Sequence, residues 1–132
     1  MMRRTIVRGL FVALALVPAA LLMGQLFGGR AWAVPLAEDP GIAWTLLADR
    51  PGYRILRDYA DPGATRRMHH HADATWHVLT LATGRLVLTI EGKPPVELAA
   101  GQAVTLAGGV EHTFTNPGTV TATIVEVFGK RP

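Results

Sequence analysis

Apolar and polar residues alternate over short runs through the chain beyond residue 52, and glycine, proline and aspartate interrupt these runs. A period of two is typical of a β-strand with one buried face. The clearest run is 85–91, in which Leu86, Leu88 and Ile90 share one face. The runs that predict strands are 53–60, 75–82, 85–91, 96–98, 104–106, 111–115 and 119–128. Seven or eight short strands separated by turn residues predict an all-β sandwich or barrel.

The N-terminal segment has a different pattern. Arg3, Arg4 and Arg8 precede a mainly apolar stretch at 9–27, and the small-x-small sequence Ala31-Trp32-Ala33 follows. This order of a basic region, an apolar helix and a small-residue cleavage site is typical of a secretory signal peptide. We therefore predict that the protein is exported, to the periplasm or outside the cell.

Two alternatives stay open for this segment. Its apolar stretch is long enough for an uncleaved membrane anchor, since a spanning helix needs about 20 apolar residues, although Pro18 and Gly24 weigh against that interpretation. The order of the arginines fits a twin-arginine export signal as well as an ordinary basic region. The membrane is a predicted partner only if the segment remains uncleaved.

Cleavage would divide the chain into a signal peptide at 1–33, an N-terminal arm at 34–52 and a domain at 53–132. Four of the 13 Lys and Arg residues precede the cut, which leaves nine against ten acidic residues and a net charge of −1. Without a basic stripe the exported part lacks the charge pattern of a nucleic-acid-binding protein, and we exclude that class. The chain has no cysteine, so disulfides and thiolate ligands are excluded as well.

Histidines cluster in two runs that begin with glycine. The runs read Gly63-x5-His69-x-His71 and Gly101-x5-Ala107-x-Gly109-x2-His112-x3-Asn116. Two imidazoles one residue apart on a strand project from the same face, and a third from a later strand can meet them. Imidazole and oxygen ligands suit one divalent ion of iron, manganese, nickel, zinc or copper.

The spacing of both runs resembles the two motifs of the cupin superfamily, G-x5-H-x-H-x(3,4)-E-x6-G and G-x5-P-x-G-x2-H-x3-N. In the second motif this chain departs at Ala107, where the family has proline. The resemblance covers 63–116 and implies a cupin jelly roll, a double-stranded β-helix barrel with a metal at its mouth. It implies His69, His71 and His112 as ligands, a small-molecule ligand as partner, and a homodimer.

The first motif departs where the family has its glutamate. Counting back from Gly84 places His77 at that position, as a substitute fourth ligand or as a residue of the pocket wall. Asp73 is the nearest acid and could reach in from a turn. Glu111 should point to the opposite face from its neighbour His112, and His70 should face solvent.

No residue is identified as catalytic. A divalent metal bound by neutral imidazoles alone keeps its full charge and favours an anionic ligand such as a carboxylate, enolate or phenolate. We predict a metal-dependent, dioxygenase-like oxidoreductase that acts on a small anionic organic substrate. A non-catalytic periplasmic protein that binds a metal or small ligand, and a metal-assisted isomerase or lyase, remain alternatives.

Overall fold

The computed structural model describes residues 30–132, which form two antiparallel β-sheets. The apolar stretch of the predicted signal peptide lies outside the described residues. Of that segment, Arg30–Trp32 form a short 3-10 turn. Between residues 30 and 132, no helix is long and apolar enough to cross a membrane.

Ten strands follow one another in the described part of the chain. They are β1 (Val34–Pro35), β2 (Ile42–Asp49), β3 (Tyr53–Ala60), β4 (Thr65–His69), β5 (Ala74–Thr83), β6 (Arg85–Ile90), β7 (Val96–Ala99), β8 (Ala103–Ala107), β9 (His112–Thr115) and β10 (Ala122–Lys130). One sheet has the order β1-β2-β3-β10-β5-β8, and the other has the order β4-β9-β6-β7. The all-β prediction is confirmed, and the two sheets fit a jelly roll.

The period-two pattern of the sequence places the core between the two sheets. On β6, Leu86, Leu88 and Ile90 are buried, whereas the residues between them are only partly covered. They pack in one apolar cluster with residues of the other sheet, such as Leu79 and Ile124. At about 25 cal/mol per Å² of apolar surface removed from water, this cluster is the main source of stability.

The arm predicted at 34–52 contributes strands to the larger sheet. β2 pairs with β3 along its length, from Ile42 opposite Ala60 to Asp49 opposite Arg54. Ile42 is buried in the core, and Leu36 packs against it. The arm therefore covers one side of the barrel and supplies part of its apolar wall.

Asn116, the last residue of the second histidine run, forms hydrogen bonds that link the turns next to the histidine-bearing strands. Its side-chain amide is buried and donates to the carbonyls of Ala60 and Val120, each at 2.8 Å. The backbone carbonyl of Asn116 accepts a hydrogen bond from the backbone amide of Gly63 at 2.9 Å. Gly63 has a positive φ of 76°, a conformation that favours glycine. Asn116 and Gly63 thus fix the start of β4, the strand that leads to His69.

Candidate metal centre

His69 and His112 face each other across neighbouring strands. They are paired residues of β4 and β9, and their ring centroids lie 4.4 Å apart. Nδ1 of His69 donates to the Arg67 carbonyl, and Nδ1 of His112 donates to the Val110 carbonyl, both at 2.8 Å. A backbone carbonyl that holds the Nδ1 proton leaves the Nε2 lone pair for a metal ion.

His71 joins this pair from just beyond the end of β4. Its ring centroid is 5.0 Å from that of His69 and 5.4 Å from that of His112. The ligand atoms of the three histidines lie within 4.8 Å of one another. Strand alternation alone does not explain this convergence, because the register between β4 and β9 shifts between Arg66 and His69.

His77 is buried and lies against the same group of rings. It is 2% exposed on β5, opposite Phe128 of β10, and the two rings stack at 4.5 Å with an angle of 18°. Its centroid is 5.1 Å from those of both His71 and His112. The structure therefore places His77 beside the three-histidine group, in contact with two of its members.

Burial makes these imidazoles poor bases. It lowers the pKa of His71 to about 3 and the pKa of His69 and of His77 to about 4, and it also lowers the pKa of His112. The rings repel one another's positive charge, which adds to the effect on His71. At neutral pH all four are uncharged, which is the form that binds a metal.

Two buried carboxyl groups that sequence reasoning missed stand next to the histidines. Glu126 on β10 is 3% exposed, and it shares a hydrogen bond with Asp58 on β3, which is 8% exposed. The sequence pattern indicates that Glu126 is buried, because this residue shares the inward face of a period-two strand with Ile124 and Phe128. An acid on an apolar face needs a partner inside the protein.

Burial and mutual repulsion make this carboxyl pair hard to ionise fully. Burial, followed by the charge of Glu126, raises the pKa of Asp58 well above its usual range. Burial also raises the pKa of Glu126, while the hydrogen bond from Asp58 opposes that rise. The Asp58 carboxyl group therefore favours its protonated form more than a free carboxyl group does. The pair can accept or release a proton inside the barrel.

The other charged residues near the histidine runs point elsewhere. His70 Nδ1 lies 2.5 Å from a carboxylate oxygen of Glu111 on the surface, which confirms that both face away from the pocket. Asp73 does not reach in, because it pairs with Arg54 at 2.8 Å and its side chain is 55% exposed.

A cavity of about 350 Å³ opens beside the histidines. Its wall includes His69, His71 and Glu126 together with apolar side chains of the arm. Arg54 also lines it, and the buried Nε of this arginine has no hydrogen-bond partner among residues 30–132. A molecule in the cavity would contact the histidine group, a positive donor and an apolar surface.

The donor set fits a metal ion. Nε2 of His71, His77 and His112 is buried, and within the described part of the chain none of these atoms has a hydrogen-bond partner. Imidazoles that share one ion through bonds of about 2.1 Å have ring centroids roughly 4.5 to 5.5 Å apart, close to the separations seen here. A second group of ligand atoms within 4.8 Å consists of His71, His77 and Glu126. The cluster can therefore hold a cation through imidazole and carboxylate atoms.

Comparisons with known proteins agree with this architecture. The cupin domain family matches residues 59–128. An RmlC-like cupin from Shewanella frigidimarina has a TM-score of 0.66 and 18% identity, covering 80% of this chain and 88% of that one. KdgF from Halomonas sp. has a TM-score of 0.64 and 19% identity, covering 75% of this chain and 86% of that one.

A cupin domain from Bordetella pertussis is 30% identical, with a TM-score of 0.59 and coverage of 70% of this chain and 96% of that one. No curated protein matches the chain. The family match spans more than half of the sequence and includes all the histidines of the cluster. The chain belongs to the cupin family.

Proposed function

We propose that this cupin binds one divalent metal ion through Nε2 of His69, His71 and His112 and acts on a small anionic organic molecule. One observation carries the proposal. Backbone carbonyls hold Nδ1 of His69 and His112, which leaves Nε2 of both for an ion, and the ligand atoms of these two residues and His71 lie within 4.8 Å of one another. Such an arrangement resembles the carbonyl-oriented imidazoles of metal sites.

The ligand set favours iron, manganese, nickel, zinc or copper, because it offers imidazole nitrogen and carboxylate oxygen and no thiolate. When bound, such an ion supplies Lewis-acid polarisation of a substrate oxygen. The chain's own residues bind and orient the substrate, exclude water and move protons.

The cavity wall supports an anionic substrate with an apolar body. Arg54, whose guanidinium pairs with Asp73, lines the cavity and adds positive charge to its wall, which favours a carboxylate, phenolate or enolate oxygen. Leu36, Trp44 and Leu46 of the arm form an apolar wall for the rest of the molecule. The volume of about 350 Å³ suits a small organic acid.

For the reaction, the buried carboxyl pair favours proton transfer, as in an isomerase or lyase. Glu126 and Asp58 both line the cavity, and a buried carboxyl pair that holds one proton can take a proton from one carbon or oxygen of the substrate and return it to another. Such a proton transfer balances without a second substrate or an oxidant. A dioxygenase-like oxidoreductase is the second candidate, supported by the neutral histidine ligands and the partly apolar cavity.

Export and pairing of two copies complete the proposal. The basic and apolar order of residues 1–33 supports export to the periplasm or beyond, with cleavage after Ala33. A domain of about 100 residues buries roughly 60 to 68% of its unfolded surface, so a second copy that covers exposed apolar residues would stabilise it.

Metal titration of the chelator-treated protein tests the proposal. Wild type should bind one ion of zinc or cobalt per chain, and His69→Ala, His71→Ala and His112→Ala should each lose at least about 100-fold in affinity. His70→Ala is the matched control, since its ring faces solvent, and it should bind as wild type does. Absence of binding to wild type, or equal affinities for all variants, would refute the proposal.

A screen of small carboxylates with the loaded protein separates the reaction classes. Proton transfer predicts deuterium exchange from solvent into the substrate without oxygen uptake. Oxygen uptake coupled to product formation would instead establish the oxidoreductase. Binding of a carboxylate without turnover would indicate a non-catalytic binding protein.

A further inference from the structure

Arg66 is a charged residue on the wall of the cavity, outside the proposed set of metal ligands. It is paired with Phe114 across β4 and β9, and residues that are directly opposite on antiparallel strands share one face of the sheet. Phe114 is 2% exposed and also lines the cavity. The side chain of Arg66 therefore lies on the inward face, where it is partly buried at 22% exposure.

A register shift explains why Arg66, and not the next residue, faces the cavity. β4 advances three residues from Arg66 to His69, whereas the partner residues on β9, Phe114 and His112, are only two apart. One extra residue in a strand is a β-bulge, which redirects side chains and is frequent beside active sites. Arg66 and His69 both line the cavity as a result, while the side chain of Arg67 between them is 54% exposed.

Asp39 of the arm holds Arg66 from outside the cavity. Nη1 of Arg66 donates to a carboxylate oxygen of Asp39, which is 3% exposed. Among residues 30–132, those that line the cavity include Arg66 and not Asp39, so the wall presents the positive member of the pair. A guanidinium has five N–H donors in a planar fork, more than one carboxylate can use. Arg66 therefore has the capacity to bind a second oxyanion from the cavity.

The charge of Arg66 acts on both chemical groups of the site. After burial, it is one of the causes that lower the pKa of His69 and of His112. It also opposes the burial that raises the pKa of Asp58 and of Glu126. The arginine is thus close to the histidines as well as to the carboxyl pair. An anion bound to Arg66 would lie beside both.

Arg54 also lines the cavity, but its guanidinium is engaged elsewhere. Its two terminal nitrogens contact the carboxylate oxygens of Asp73 at 2.8 and 3.5 Å. Its guanidinium carbon lies 5.0 Å from the centre of the Phe128 ring. A fork that faces one carboxylate with two nitrogens, and lies over an aromatic ring, has little left for a ligand. Arg66 is therefore the better donor to a molecule in the cavity.

We propose that Arg66 binds one carboxylate of the substrate while a second acidic group of the same molecule binds at the three-histidine position, so that the cavity takes a short dicarboxylate. The inference rests on the proposed function and specifies its substrate class. Two residues along a strand span about 7 Å, which separates the Arg66 pair from the His69 pair on β9. Two anchors on one wall suit an acidic group at each end of a short carbon chain, and apolar residues of the arm would contact that chain.

Calorimetric titration of succinate and butyrate into zinc-loaded protein tests the role of Arg66. The two acids have the same number of carbons, and only succinate has a carboxylate at each end. Wild type should bind succinate roughly 10- to 100-fold more tightly than butyrate, as expected for one added charge-assisted hydrogen bond. Arg66→Gln should lose most of this preference. Its zinc affinity should stay within a few-fold of wild type, because Arg66 is not a ligand.

Arg67→Gln is the matched control. Arg67 is the next residue in the chain and also contacts Asp39, with its Nε 3.5 Å from a carboxylate oxygen, but its side chain is largely exposed. This variant should keep the preference for succinate. Arg54→Gln should keep most of it as well, and loss of the preference in Arg54→Gln but not in Arg66→Gln would overturn the assignment.

The remaining outcomes separate this inference from the proposed metal site. Equal affinity of zinc-loaded wild type for the two acids, no measurable binding of succinate, or an unchanged preference in Arg66→Gln would overturn the inference and leave zinc binding standing. Absence of zinc binding by wild type would overturn both. If Arg66→Gln does not fold, the double variant Arg66→Gln with Asp39→Asn replaces it, since it leaves no unpaired buried charge. Retention of the preference in that variant would refute the role of Arg66.

Discussion

Acid should destabilise the metal-free protein because its buried imidazoles resist protonation. The folded-state pKa of His71 is about 3, far below the value of about 6.5 in an unfolded chain. Between these two values the unfolded state binds more protons than the folded state. Stability is therefore complete above about pH 6.5 and is lost as pH falls towards 3.

The size of this effect at pH 5 follows from the two pKa values. At pH 5 the contribution of His71 alone makes the free energy of unfolding about 2 kcal/mol lower than at pH 7.5. This difference hardly changes if the folded-state pKa of His71 is 4 instead of 3. Its side chain is 19% exposed, so solvent screening reduces the figure only modestly. His69 and His77 act in the same direction, whereas the raised pKa values of Asp58 and Glu126 act in the opposite one.

Urea unfolding at pH 7.5 and pH 5.0, followed by tryptophan fluorescence on chelator-treated protein, measures the effect. Comparison with His71→Gln isolates the contribution of the His71 ring. Between pH 7.5 and pH 5.0, the free energy of unfolding of this variant should fall by about 2 kcal/mol less than that of wild type. With a urea slope near 2 kcal/mol/M, the difference is roughly 1 M in midpoint. His70→Gln, whose ring is exposed, should behave as wild type does. A pH dependence in His71→Gln identical to that of wild type would refute the reasoning.

Three further predictions concern export, assembly and packing. The native protein should begin at Val34, and mass spectrometry that finds an intact Met1 in the membrane fraction would favour an anchor instead. The exported domain should form a dimer, and sedimentation of a monomer at micromolar concentration would contradict that. Gly108→Ala should cost roughly 1 to 3 kcal/mol in denaturant unfolding, because the added methyl group would overlap the Ala74 carbonyl. Gly52→Ala is its control, since nothing lies within 4 Å of the added atom, and equal stabilities would refute the packing argument.

The sequence predicted the strands and the histidine cluster because both depend on local spacing. Alternation placed Leu86 and Leu88 in the core, and the run from Gly63 to His71 placed two imidazoles near a strand end. These signals involve residues that are close together in the chain. The resemblance of His69, His71 and His112 to the cupin motifs depended on the same short spacings.

Glu126 could not be assigned to the site from spacing, because its neighbours come from distant strands. It lies opposite Leu79 of β5 and Leu56 of β3, and its approach to His77 and Asp58 depends on the order of the sheet. The acidic residue nearest to the first histidine run is Asp73, which pairs with Arg54 in the fold. The order of the strands in the sheet therefore determines which acidic residue lies inside the barrel.

The most direct test of the central claim is anomalous diffraction from a crystal of the zinc-loaded protein. We expect one peak per chain, bonded to Nε2 of His69, His71 and His112 at about 2.0 to 2.3 Å. The Nδ1 atoms of His69 and His112 should remain hydrogen-bonded to the carbonyls of Arg67 and Val110. A peak bound elsewhere, or none beside these three rings, would refute the proposed metal site.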